Sequence, residues 1–155
     1  SAAVAGRGRR LAVDCLTSPP PLVATVGDTM NAFRQLMRAA GSKPPIGTWI
    51  SSASPIVAEA MGCVGFDWGV VDMEHAPLDM MGLVHLLQAL GNTKMVSVVR
   101  VPWNDAVMVK RVLDAGATTV LFPFVQNAAE AARRTAEMQL LGHGYEVAQV
   151  SQLHR

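Results

Sequence analysis

Phe66-Asp67-Trp68-Gly69-Val70-Val71-Asp72-Met73-Glu74-His75 decides how this chain folds. The run from Phe66 to Met73 is almost continuously apolar, as expected of a strand covered on both faces in a parallel sheet flanked by helices. It then gives way to ionisable groups, Asp72, Glu74 and His75, at the point where such a strand leaves its sheet. Residues two apart in a strand share a face, so Asp72 and Glu74 point the same way and His75 falls at the turn.

Working outward, the flanks repeat a strand and helix alternation. Upstream, Pro44 and Pro45 break the chain before the short apolar strand Ile46-Gly47-Thr48-Trp49-Ile50. Ser54-Pro55 then opens a helix whose expected buried stripe is Ile56, Val57, Ala60 and Met61, closed by the glycines 62 and 65. Downstream, residues 79–90 read as a helix with Leu83, Leu86, Leu87 and Leu90 inward, and 95–101 as a third strand. Residues 105–113 follow as a crossover helix, 118–122 as a fourth strand, and Asn127 starts a further, Ala-rich helix. Before all of this, Asp28 or Thr29 can cap a helix carrying Met30, Phe33, Leu36 and Met37 and ended by Gly41.

Strands alternating with helices mean βαβ units with right-handed crossovers, in either a doubly wound sheet or a (β/α) barrel. No Gly-rich phosphate loop follows the first strand, where an open nucleotide-binding sheet would place it. Polar residues gather instead after the carboxyl ends of successive strands, at Asp72 to His75, at Arg100 and at Gln126-Asn127. Barrel enzymes build their sites on that face. The expected fold is α/β, a partial (β/α)8 TIM barrel of about four βα units with an N-terminal helix.

Composition agrees with this and removes other classes. The 155 residues are 50% hydrophobic and 16% charged, apolar enough for doubly buried strands. A formal net charge of +1 gives no electrostatic reason to expect nucleic acid or an anionic membrane as partner. No window approaches the ~20 apolar residues of a membrane span. Cys15 and Cys63 lack a second Cys or His at metal spacing, so a disulfide framework is not expected and Cys63 reads as inert packing. A reducing, cytoplasmic compartment is the default. The alternative is an organelle, since residues 1–28 read as a leader with Arg7, Arg9, Arg10 and only Asp14 as an acid.

Chemistry is concentrated in few side chains. An imidazole flanked by carboxylates is held in one tautomer and becomes a better base, so His75 with Asp72 and Glu74 is a candidate acid/base site. The competing reading makes Asp72 a loop cap and His75 an ordinary turn residue. Arg100, emerging from Val96-Ser97-Val98-Val99 at the same rim, needs an anion. Either a substrate carboxylate meets that need or an ion pair with Asp72, Glu74 or Asp105 does. His85 sits in an apolar helix, His143 and His154 in a tail without pattern, and the nine methionines read as core filling.

Several motifs in order carry a resemblance. They are Gly47-Thr48-Trp49; Gly65-Phe66-Asp67-Trp68 leading into Asp72-Met73-Glu74-His75-Ala76-Pro77; Val99-Arg100-Val101-Pro102-Trp103-Asn104-Asp105; Leu113-Asp114-Ala115-Gly116-Ala117; and Pro123-Phe124-Val125-Gln126-Asn127-Ala128 with Glu130-Ala131. Together they resemble the HpcH/HpaI aldolases, metal-dependent (class II) pyruvate aldolases, over residues 31–133. The resemblance implies a (β/α)8 barrel, usually a hexamer, that cleaves a 4-hydroxy-2-oxoacid to pyruvate and an aldehyde, or runs the reverse. It implies His75 as the acid/base group, oriented by Asp72 and, through a water, by Asp114. It gives Arg100 the oxygens of pyruvate and its enolate, and Trp49 a place lining the pocket. The sister citryl and malyl thioester lyases are the alternative activity.

The resemblance also implies a divalent metal, Mg, Mn or Co, whose Glu and Asp ligands lie on later strands. Nothing in residues 136–155 matches the motifs expected there, so the sequence reading takes 29–135 as the N-terminal half of a barrel followed by an unmatched tail. Such a piece is expected to be truncated and inactive alone, or to act as an interaction module.

Overall fold

The computed structural model describes residues 31–141 and 146–148, with side chains described as far as residue 136. Helix α1 (Ala32–Ala39) starts at Asn31, whose side chain accepts from the Phe33 and Arg34 amides. Asp28 and Thr29, the expected caps, lie outside the described residues. Gly41 turns the chain out of α1 at a φ of 51°.

Strand β1 (Gly47–Ile50) leads to α2 (Pro55–Val64), which has Ser54 at its cap, Pro55 in the first turn and Gly65 left-handed at its end. The caps are as expected; the buried stripe is not. Ala58 and Gly62 are buried, with Met61 partly so, while Ile56 is 80% exposed and Val57 and Ala60 also face outward. Close approach explains the choice, because a Cβ at Gly62 would lie only 2.5 Å from Thr93 Oγ1. The helix therefore docks on its smallest residues rather than its most apolar ones.

Next come β2 (Trp68–Asp72), α3 (Met80–Gly91), β3 (Val96–Arg100), α4 (Ala106–Asp114), β4 (Thr119–Leu121) and α5 (Ala128–Leu141). Asp79 and Asp105 cap α3 and α4 through Gly82 N and Met108 N. Leu83, Leu86 and Leu90 are fully buried and Leu87 packs partly buried beside them. Strand β5 (Glu146–Ala148) adds a fifth parallel strand against β4, inside the segment expected to be an unmatched tail. With three residues and a charged start, β5 carries no apolar run by which the sequence could announce it.

All five strands are parallel, in the order β1-β2-β3-β4-β5. Right-handed crossovers that always step the same way put every connecting helix on one face. Accordingly Ile50, Val71, Val99 and Val120 pack with Ala58, Leu83, Leu86, Val109 and Val112 in one core. A doubly wound sheet would reverse direction and place helices on both faces, so the architecture is that of a partial (β/α) barrel.

On the other face α1 packs through Phe33. Val70, Val98 and Leu121 pack with Phe33 and Trp68, and the last two rings meet edge to face with centroids 5.5 Å apart. Asn31 Nδ2 donates to Thr118 O at 2.7 Å and to Thr119 Oγ1 at 2.9 Å, fixing α1 to the amino-terminal end of β4. Cys63, expected to be inert packing outside any disulfide, is disulfide-bonded. Among the described residues, no helix is long and apolar enough to cross a membrane.

Candidate active site

The register fixes what the carboxyl ends of the strands present. Asp72 on β2 lies opposite Arg100 on β3, on the face that Val70 and Val98 share. Arg100 Nε donates to Asp72 Oδ1 at 2.9 Å and Nη2 to Oδ2 at 2.6 Å, the two-point geometry that suits a guanidinium and a carboxylate. Both side chains are buried, Asp72 at 4% and Arg100 at 7% exposure. Asp72 Oδ1 also accepts the backbone N–H groups of Glu74 and His75, at 3.0 and 3.2 Å. Burial pushes the Asp72 carboxyl up, but the Arg100 hydrogen bonds and these two N–H groups outweigh it and hold it below the usual value. The Asp72 hydrogen bonds raise Arg100 in turn, against its own burial.

Glu74 completes the cluster. Its Oε2 is 3.0 Å from Arg100 Nη1, and its Oε1 is 3.4 Å from His75 Nε2. No donor among the described residues is aligned for a hydrogen bond to that buried Oε2, so the Arg100 contact is ionic rather than directional. The His75 ring is 69% exposed and so faces open space beyond the rim. Trp49 on β1 lies with its ring centroid 4.4 Å from Arg100 Cζ, a cation–π contact that flattens the guanidinium against one wall. Of the five N–H groups of the guanidinium, two are hydrogen-bonded to Asp72, while Nη1 makes the ionic contact to Glu74.

The structure thus brings together His75, Asp72, Arg100 and Trp49, and sets Glu74, which the sequence also put beside the imidazole and among the possible partners of Arg100, against both of them. It changes two assignments. Asp72 reaches the backbone of His75 and not its ring, so Asp72 orders the turn while Glu74 touches the imidazole. Asp114 is the last residue of α4 and therefore sits toward the amino-terminal ends of the strands, away from His75. Its carboxylate pairs with Lys110 at 2.6 Å. Within this chain Asp114 does not orient the imidazole, because a crossover helix carries its end back to the far rim.

The alternative partner Asp105 is spent capping α4. Gln126 and Asn127 open α5: Asn127 Oδ1 accepts from Glu130 N at 2.8 Å and the Gln126 backbone N–H donates to Glu130 Oε2 at 3.2 Å. Two further features of the rim carry no signal in their spacing. Ala53 after β1 and Phe124 after β4 hold left-handed φ values of 52° and 59°, which cost a residue with a Cβ about 1 kcal/mol or more. Phe124 also packs on Trp103, with centroids 5.3 Å apart, making an exposed aromatic pair beside the site.

A metal does not fit these residues by themselves. No group of three or more His, Cys, Asp or Glu side chains suited to an ion occurs among the described residues. Both oxygens of Asp72 are already taken by Arg100 and backbone amides.

Known proteins resemble this chain in sequence and fold. Residues 45–148 match the family model described as HpcH/HpaI aldolase/citrate lyase. Over 87 residues the chain is 53% identical to a 2-dehydro-3,6-dideoxy-6-sulfogluconate aldolase of Pseudomonas putida, covering 56% of this chain and 34% of that protein. It is 44% identical over 121 residues to a 5-keto-4-deoxy-D-glucarate aldolase of Salmonella newport (strain SL254), covering 78% and 46% respectively. A crystal structure of an HpcH/HpaI aldolase/citrate lyase family protein from Burkholderia cenocepacia J2315 superposes with a TM-score of 0.64 at 38% identity, covering 70% of this chain and 42% of that one. The chain spans less than half the length of these relatives. With its parallel half-barrel and a match through β5, the chain belongs to the HpcH/HpaI aldolase/citrate lyase family.

Proposed function

We propose that this chain carries the oxoacid-binding and proton-transfer part of an aldolase that cleaves a 4-hydroxy-2-oxoacid to pyruvate and an aldehyde. One observation carries the reading: an exposed imidazole and a buried guanidinium, linked by Glu74, share a single strand-end rim. Arg100 is pinned by Asp72 and Trp49 before any ligand arrives, so its remaining N–H groups can receive pyruvate oxygens without reorganising. Negative charge on those oxygens grows as the enolate forms, and a fixed cation there favours the transition state over the ground state. His75, open to the same rim, takes the proton.

The family description covers both aldolases and citrate lyases; the curated relatives named as aldolases favour the aldolase reading. A divalent ion, when bound, supplies a Lewis acid for the enolate. We assign it to residues beyond those described, and a hexamer to the complete protein. The test is exchange of pyruvate methyl protons with solvent deuterium, followed by NMR with Mg, Mn or Co ions supplied. Exchange abolished by His75→Ala supports the proposal. Absence of exchange with all three ions removes it for this chain and leaves the inactive-fragment reading.

A further inference from the structure

Glu74 is built into the rim more firmly than the residue it touches. Its side chain is 9% exposed, its Oε2 lies against the Arg100 guanidinium, and its Oε1 lies 3.4 Å from His75 Nε2. Arg100 cannot move to accommodate Glu74, because two hydrogen bonds tie it to Asp72 and the Trp49 ring backs it. The His75 backbone is set by Asp72, whereas its ring is 69% exposed. The Glu74 carboxylate is therefore the rigid group against which the imidazole rests.

We propose that Glu74 is the positioning residue of His75, holding the neutral ring with its proton on Nε2 and turning the Nδ1 lone pair toward substrate. A carboxylate only accepts hydrogen bonds, so the nitrogen facing it must carry the hydrogen. The other nitrogen is then the base. The catalytic consequence rests on the aldolase reading. In it, the substrate hydroxyl O–H bond breaks as an Nδ1–H bond forms. The pair left on oxygen becomes the aldehyde carbonyl while the adjacent carbon–carbon bond breaks, and that bond's pair becomes the pyruvate enolate facing Arg100. The imidazolium so formed keeps its Nε2–H on Glu74, and the proton on Nδ1 returns to the enolate carbon.

The geometry makes an amide informative. In Glu74→Gln the donor-only guanidinium draws the amide oxygen, which turns the NH2 group onto His75 Nε2. That nitrogen must then accept, so the ring proton moves to Nδ1 and the base is lost. In Glu74→Ala the ring is simply released. The experiment records ring nitrogen shifts of His75 in 15N-histidine-labelled full chain, assigned by His75→Gln, at a pH where the ring is neutral. Expected are a single Nε2–H tautomer in the native chain, a mixture in Glu74→Ala, and an Nδ1–H tautomer in Glu74→Gln.

Pyruvate exchange should fall about tenfold in kcat for Glu74→Ala and about a hundredfold for Glu74→Gln, with KM little changed. A merely structural glutamate would tolerate its isostere better than alanine, the opposite order. The same tautomer in all three proteins, each with unchanged far-UV circular dichroism, would overturn the proposal. The nitrogen shifts need no turnover, so loss of the aldolase reading leaves this test intact.

Discussion

Replacing Asp72 with alanine strikes a buried carboxylate that accepts four hydrogen bonds. The change removes two Arg100 hydrogen bonds, at 2.9 and 2.6 Å, and strips the Glu74 and His75 amides of their acceptor. Arg100, 7% exposed, keeps only the ionic contact to Glu74 as neutralising charge. Breaking a buried pair from one side costs about 3–5 kcal/mol, and the surviving Glu74 contact sets the expectation near the lower end, about 3 kcal/mol. At this chain length each kcal/mol moves Tm by about 2–4 °C, so the midpoint should fall by about 6–12 °C. Asp72→Asn separates the two roles, since its Oδ1 can still accept the amides while its NH2 faces the guanidinium. It should lose about half as much. Thermal and urea unfolding followed by circular dichroism measure both. A loss below about 1 kcal/mol in Asp72→Ala would refute the argument, because the pair would then be no better than a surface ion pair.

Gly62→Ala should destabilise by about 1 kcal/mol, the overpacking against Thr93 outweighing the helix propensity gained; a rise in Tm would show that Thr93 yields freely. Asn31→Ala removes the α1 cap and leaves buried Thr119 Oγ1 without its partner, a loss of about 2–4 kcal/mol. Faster hydrogen exchange at the Phe33 and Arg34 amides should accompany it. Because folding lowers the Asp72 carboxyl, its stabilisation is complete above the unfolded value near ~4 and fades as pH falls through the folded one. The urea midpoint should therefore drop below about pH 4, with a shallower slope in Asp72→Ala.

The parallel strands were readable because doubly buried strands cannot hide: Trp68–Asp72 and Val96–Arg100 are apolar almost throughout. Helix starts were readable too, since Ser54, Asp79, Asp105 and Asn127 each meet an amide within the first turn. The buried face of α2 was not, because a helix that docks on Ala58 and Gly62 leaves Ile56 and Val57 outside. Apolarity marks what prefers burial, and only the neighbour's shape decides what is buried. Strand order brought His75, Asp72 and Arg100 together from spacing alone. Which carboxylate meets the ring depended on the turn after Asp72, where one oxygen accepts two successive amides and throws Glu74 back toward Arg100. Asp114 shows the converse: a family motif ties it to the imidazole, while the crossover carries it to the opposite rim.

Sheet order β1-β2-β3-β4-β5 is also the order of synthesis. As the chain leaves the ribosome, each new strand finds its template already laid down one unit earlier, and no paired edge has to be reopened to admit it. Loop closure stays short at every step, which keeps its entropic cost low and the search fast. The tie between Asn31 and Thr119 spans 88 residues and waits for β4 to emerge, so α1 is latched long after it is made.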